Sequence, residues 1–135
     1  MKRAIIVAIL LLVMGCQGKT ETIDLKPITL AEAYPGDISE VGRVELLDGS
    51  TGERKTIKDR QKIQHWIGQI KDIQLTPDIN QEGRTGFIFG ISLYKGEEMK
   101  LGFIPNQIHH IYYESNPEFE ERIRSFFEEQ FGRNY

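Results

Sequence analysis

One cysteine, Cys16, stands in 135 residues, and that scarcity removes several kinds of chemistry at once. No internal disulfide can form, and no cluster of thiolates can hold zinc or iron, because each needs at least a second sulfur. Basic residues are in the minority: 17 Lys and Arg against 20 Asp and Glu give a formal net charge of −3. A protein that grips nucleic acid neutralises phosphates with a basic face, so this balance argues against a nucleic-acid partner. Long apolar runs are missing as well. The apolar run at residues 4–14 is too short to cross a bilayer, since spanning a hydrocarbon core takes roughly 20 helical residues. No internal repeat or low-complexity segment is visible, and the length suits one domain.

What is present at the N-terminus has the order of an export signal. Lys2 and Arg3 form a positive start, Ala4 to Met14 is apolar, and Gly15 precedes Cys16. Residues 1–15 therefore read as a signal peptide. The junction Val13-Met14-Gly15-Cys16 resembles the bacterial lipobox, in which an aliphatic residue, a tolerant position and a small residue precede an acylated cysteine. That resemblance implies cleavage between Gly15 and Cys16, lipidation of Cys16, and a protein held at the extracytoplasmic face of the cell membrane. Two or three acyl chains make such an anchor effectively permanent, because each buried methylene contributes about 0.8 kcal/mol. Loss of Lys2 and Arg3 leaves 15 basic against 20 acidic residues, a net charge of −5. Net charge of that sign gives no attraction to an anionic membrane surface, so the lipid must supply the attachment.

Residues 16–39 read as the lipidated cysteine followed by a polar tether interrupted by Pro27, Pro35 and Gly36. Its apolar residues, Ile23, Leu25, Ile28, Leu30 and Tyr34, are enough for part of it to lie against a domain spanning 40–135. Within that domain, Val41 to Leu47 and Glu53 to Ile57 flank a cluster of turn formers and predict a hairpin. Asp59 is placed to cap a helix running to Lys71, with Ile63, Trp66, Ile67 and Ile70 on one face. Ile73 and Leu75 suggest a brief strand, and the polar stretch 76–86 is expected to be a mobile loop. Strand-like runs at 87–94, 99–104 and 108–113 are joined by short connections and predict an antiparallel meander. Phe87, Phe89, Ile91 and Leu93 line one face of the first run; Met99, Leu101 and Phe103 repeat the alternation in the second. Ser115 or Asn116 caps a final helix with Pro117 in its first turn, Phe119, Ile123, Phe126, Phe127 and Phe131 along one side, and Gly132 at its end. The expected class is α+β: a largely antiparallel sheet of five or six strands with two amphipathic helices on one face.

Candidate chemistry is sparse. His109 and His110, adjacent on a strand, would point to opposite faces, and His65 has no partner at helical spacing, so no metal site is expected. The lone cysteine is consumed by the anchor, and no serine lies in a Gly-x-Ser-x-Gly elbow, so no catalytic nucleophile is expected. Glu97-Glu98, Glu120-Glu121 and Glu128-Glu129 read as solvated pairs, because no run spells a calcium loop. Gly83-Arg84-Thr85-Gly86 precedes a strand and not a helix, which is the wrong geometry for cradling a phosphate. His109, His110, Tyr112 and Tyr113 are the candidate binding surface, since tyrosines combine apolar area with a polar handle.

The leader, the hairpin followed by Ile57-Lys58-Asp59 opening a helix, the meander and the terminal amphipathic helix resemble the small uncharacterised lipoproteins of Bacillus-type Gram-positive bacteria. The resemblance implies a cell-surface location and no particular activity. Without a catalytic constellation or a cofactor motif, the expected function is a non-catalytic binding or accessory module for a protein partner in the envelope. Two alternatives stay open: an immunity or phage-exclusion lipoprotein, and an extracytoplasmic metal- or small-ligand-binding protein using His109, His110 and the Glu97-Glu98 turn.

Overall fold

The computed structural model describes residues 25–135. The expected signal peptide, Cys16 and the first part of the expected tether lie outside the described residues. The remainder is an α+β fold built on one six-stranded antiparallel sheet. Its strands are β1 (Arg43–Asp48), β2 (Arg54–Ile57), β3 (Phe89–Lys95), β4 (Glu98–Ile104), β5 (Gln107–Ile108) and β6 (Ile111–Tyr112), in the order β2-β1-β3-β4-β5-β6.

Side-chain alternation decides which face is buried. Val44 and Leu46 of β1, Ile91 and Leu93 of β3, and Leu101 and Phe103 of β4 all point to one side and are almost fully buried. Two long helices cover that side, α2 (Arg60–Ile70) and α3 (Pro117–Phe131). The Asp59 carboxylate starts α2 by accepting from the Gln61 and Lys62 amides. Asn116, with Pro117 behind it, starts α3 by accepting from the Phe119 amide at 3.0 Å, so the cap is the asparagine, while Ser115 turns to Glu120. The predicted apolar stripes meet between the helices: Trp66 stacks on Phe126 with centroids 4.2 Å apart, and its indole N–H donates to the Arg122 carbonyl.

Several expectations are corrected. The polar tether does not extend to residue 39: a short helix α1 (Leu30–Ala33), closed by a capping box between Thr29 and Glu32, buries Leu30, and Tyr34 and Ile38 follow it into the core. Burial of Leu30, Tyr34 and Ile38 makes this stretch part of the folded domain, in keeping with the apolar residues counted there. Ile28 exchanges backbone hydrogen bonds with Leu75, and this isolated bridge replaces the brief strand expected at 73–75. Met99 does not share a face with Leu101. A bulge between Leu93 and Tyr94 pairs Tyr94 with Met99, leaving Lys100 as the extra residue and rotating Met99 out to 55% exposure.

The run 108–113 is not one strand. It folds back at His109-His110, both with positive φ (52° and 66°), so that Ile108 pairs with Ile111. Two consecutive left-handed residues make a tight turn matched to the right-handed twist of its flanking strands. The stretch 76–86, expected to be mobile, is held in place. The Gln81 side chain acts as a strand partner for Tyr112, donating to its carbonyl at 2.8 Å and accepting from its amide at 2.9 Å. Arg84 then lies over the Tyr112 ring and pairs with Asp78 at 2.9 Å. The Asn80 amide and the Arg84 guanidinium hold the Asp78 carboxyl below its ordinary range.

Candidate functional site

Both long helices lie on one face, and among the described residues the middle of the other face carries no helix. Side chains there are those out of phase with the core: Glu45 and Leu47 from β1, Gly90 and Ser92 from β3, and Gly102 and Ile104 from β4. Register aligns them in rows. Glu45 stands beside Ser92 and Ser92 beside Gly102, while in the next row Leu47 stands beside Gly90. Small residues at three of these positions leave a trough of about 480 Å³ along the middle of the sheet.

Each wall has an identifiable cause. At the β1–β2 end, Arg54 and Glu45 form an ion pair of 2.7 Å across neighbouring strands. Met99, placed here by the bulge, and Lys100 line one side; Ile104 and Gln107 line another, and His109 and His110 stand at the far end. Phe87 confines the trough near Leu47, because its ring lies over Gly90, where a side chain would meet it at 3.0 Å. Gly49 sets that approach. A Cβ there would fall 2.0 Å from the Phe87 carbonyl oxygen, so only glycine lets the two segments pass.

The structure therefore divides the candidate residues. His109 and His110 are exposed at the trough, and the His109 Nε2–H donates to the Ala33 carbonyl at 2.8 Å, tying the turn to α1. Tyr112 and Tyr113 are buried, at 7% and 4% exposure, and neither lines the trough: Tyr113 belongs to the core, and Tyr112, paired with Gln107, is covered by Arg84. The Tyr112 hydroxyl is engaged by the Arg84 amide at 2.9 Å, and burial pushes the Tyr113 hydroxyl above the usual tyrosine range. His65 is remote on α2, within contact of Gln69.

Chemically, the trough offers hydroxyl, amide, imidazole, ammonium and guanidinium groups around an aliphatic floor. Ser92 makes no hydrogen bond to either histidine among the described residues, and no group of three or more His, Cys, Asp or Glu there is arranged to hold a metal ion. Glu98 turns to Lys100 at 3.7 Å and not to the histidines. Ser92, Gly102, Leu47, Glu45 and Arg54 were not singled out from sequence. The available signal was the small, mixed side of the β3 alternation, Gly90-Ser92, opposite an apolar side. Comparison with protein-family models, with curated proteins and with solved structures finds no match to this chain.

Proposed function

We propose that the protein is a lipid-anchored extracytoplasmic lipoprotein whose domain is a non-catalytic binding module for a protein partner in the cell envelope, presenting the uncovered sheet face. The observation that carries this reading is the trough itself: among the described residues the two long helices lie on one side of a six-stranded sheet, and the other side keeps a hollow of about 480 Å³ with an aliphatic floor and a charged rim. An apolar centre inside a polar rim is the anatomy of a recognition surface. The lipobox at Val13 to Cys16 supports the address, and no helix among the described residues is long and apolar enough to cross a membrane.

Gly102 gives the means of testing it. A Cβ there meets nothing nearer than 3.8 Å, so a long side chain can fill the trough without disturbing the sheet. Gly68, exposed on α2 with open space around it, is the matching control. Chemical crosslinking on intact cells, followed by recovery of the full chain, should capture a reproducible envelope protein. Gly102→Arg should lower that capture at least tenfold and Gly68→Arg should not. Equal capture by the two variants would remove the trough from the reading.

A further inference from the structure

The two edges of the sheet are finished differently. At β6 the backbone is occupied: Gln81 bonds both polar groups of Tyr112, and Tyr113 bridges Pro77. At β2 no backbone group of the described residues meets the outer edge. The Asp48 amide donates to the Glu53 carbonyl at 2.9 Å, and alternation from that bond turns the polar groups of Lys55 and Ile57 toward β1. Those of Arg54 and Thr56 then face outward, and no backbone partner meets them among the described residues.

Charge at this edge is opposite to that of the molecule. Residues 54–62 contain Arg54, Lys55, Lys58, Arg60 and Lys62 with Asp59 as the one acid, a local net charge of +4 in a chain of net −3. Asp59 is committed to capping α2, Arg54 to Glu45, and Arg60 to the Ser39 carbonyl. Lys55, Lys58 and Lys62 are exposed, and their ammonium groups make no ion pair or hydrogen bond among the described residues. Lysines on an edge keep like edges apart, so a second copy of this strand is repelled. The same row attracts a strand of the opposite charge.

We infer that the outer edge of β2 is the docking strand for an extended acidic segment of a partner protein, which adds to the sheet beside Arg54 and Thr56 while Lys55 and Lys58 select its carboxylates. Main-chain hydrogen bonds would supply affinity, and the side chains would supply selectivity. This rests on the reading of the domain as a protein-binding module, and it deepens that reading: Arg54 lines the trough, so an added strand would lengthen the trough's wall.

The test uses the full lipidated chain in neutral-lipid nanodiscs, with a fluorescent, end-blocked ten-residue peptide alternating glutamate and valine as probe. Its counterpart alternating lysine and valine is the control. The acidic peptide should bind at least tenfold more tightly, and it should slow hydrogen exchange of the Arg54 and Thr56 amides at least fivefold. Thr56→Pro removes one outward N–H without touching the ladder to β1, a place where an edge strand tolerates proline. It should weaken binding at least tenfold with circular dichroism unchanged. If that variant fails to fold, the double substitution Lys55→Glu, Lys58→Glu, which should reverse the preference between the two peptides, takes its place. Equal binding to the wild type and Thr56→Pro, or no slowing at residues 54–56 in millimolar peptide, would overturn the edge. Gly102→Arg should leave peptide binding intact, so failure at the edge and failure of the trough are read separately.

Discussion

Asp48 ends β1 with no exposed surface, and four groups converge on its carboxylate. The Ser50 amide and hydroxyl reach one oxygen at 2.8 and 2.6 Å; the Arg133 guanidinium and the Tyr135 hydroxyl reach the other at 2.5 and 2.7 Å. Ser50, then Tyr135 and Arg133, hold this carboxyl far below the ordinary carboxylate range. A carboxyl whose folded pKa is depressed stabilises the fold fully above its unfolded value, near pH 4, and progressively less as the pH falls toward the folded one. Urea unfolding of the wild type should therefore weaken steadily below about pH 4. Asp48→Ala should lose about 2–3 kcal/mol at neutral pH, because Arg133 and Tyr135 are left without their acceptor. It should also lose part of the acid dependence; an unchanged midpoint would show the clamp to be idle. The opposite sign holds for Tyr135, whose hydroxyl is pushed up to about 12 by burial and by Asp48. Its contribution is intact below pH 10 and disappears as the pH rises through about 12. Only the Ser50 bonds, two residues on, were within reach of a local reading. Asp48 read as one more turn former, and its other partners lie 85 and 87 positions away, past the glycine that ends the last helix.

Among the elements, the hairpin at His109-His110 shows most clearly how tertiary context overrides a local pattern. Asn-Gly is the usual solution for two left-handed residues, and here two histidines stand in that place. His109 has a reason, its bond to Ala33; no hydrogen bond is made by His110 among the described residues. His110→Gly should thus raise stability by about 0.5–1 kcal/mol, through relief of the Cβ clash that a left-handed residue suffers. His110→Val should lower it by more than that, since β-branching is worst at positive φ. Thermal melts of the two variants in opposite directions would confirm the turn, and melts shifted together would not. Periodicity found α2 and α3 because a helical stripe repeats over three or more turns. It missed the Met99 rotation because one inserted residue inverts the face without changing composition, and it missed the Gln81 staple because that residue acts on a strand 31 positions away.

For the whole molecule, if Cys16 carries the proposed lipid, anchoring and folding should be separable properties. Among the described residues the buried core runs from Leu30 to Phe127, on the C-terminal side of the cysteine. Cys16→Ser should keep the circular dichroism spectrum and melting transition of the wild type while the protein leaves the membrane fraction. Retention in that fraction without cleavage would make the apolar leader, and not a lipid, the anchor.

The sequence by itself determined the α+β class, the two helices and their buried faces, and the antiparallel meander. Each depends on residues close together in the chain, so period and cap residues suffice to read it. Only the tertiary structure decided that, among the described residues, the middle of the sheet's second face is left open, that His109 and His110 form its end while Tyr112 and Tyr113 are buried away from it, and that one sheet edge is stapled while the other is basic and meets no described backbone partner. Those outcomes depend on strand order, a single bulge and contacts between distant segments, for which local pattern carries no signal.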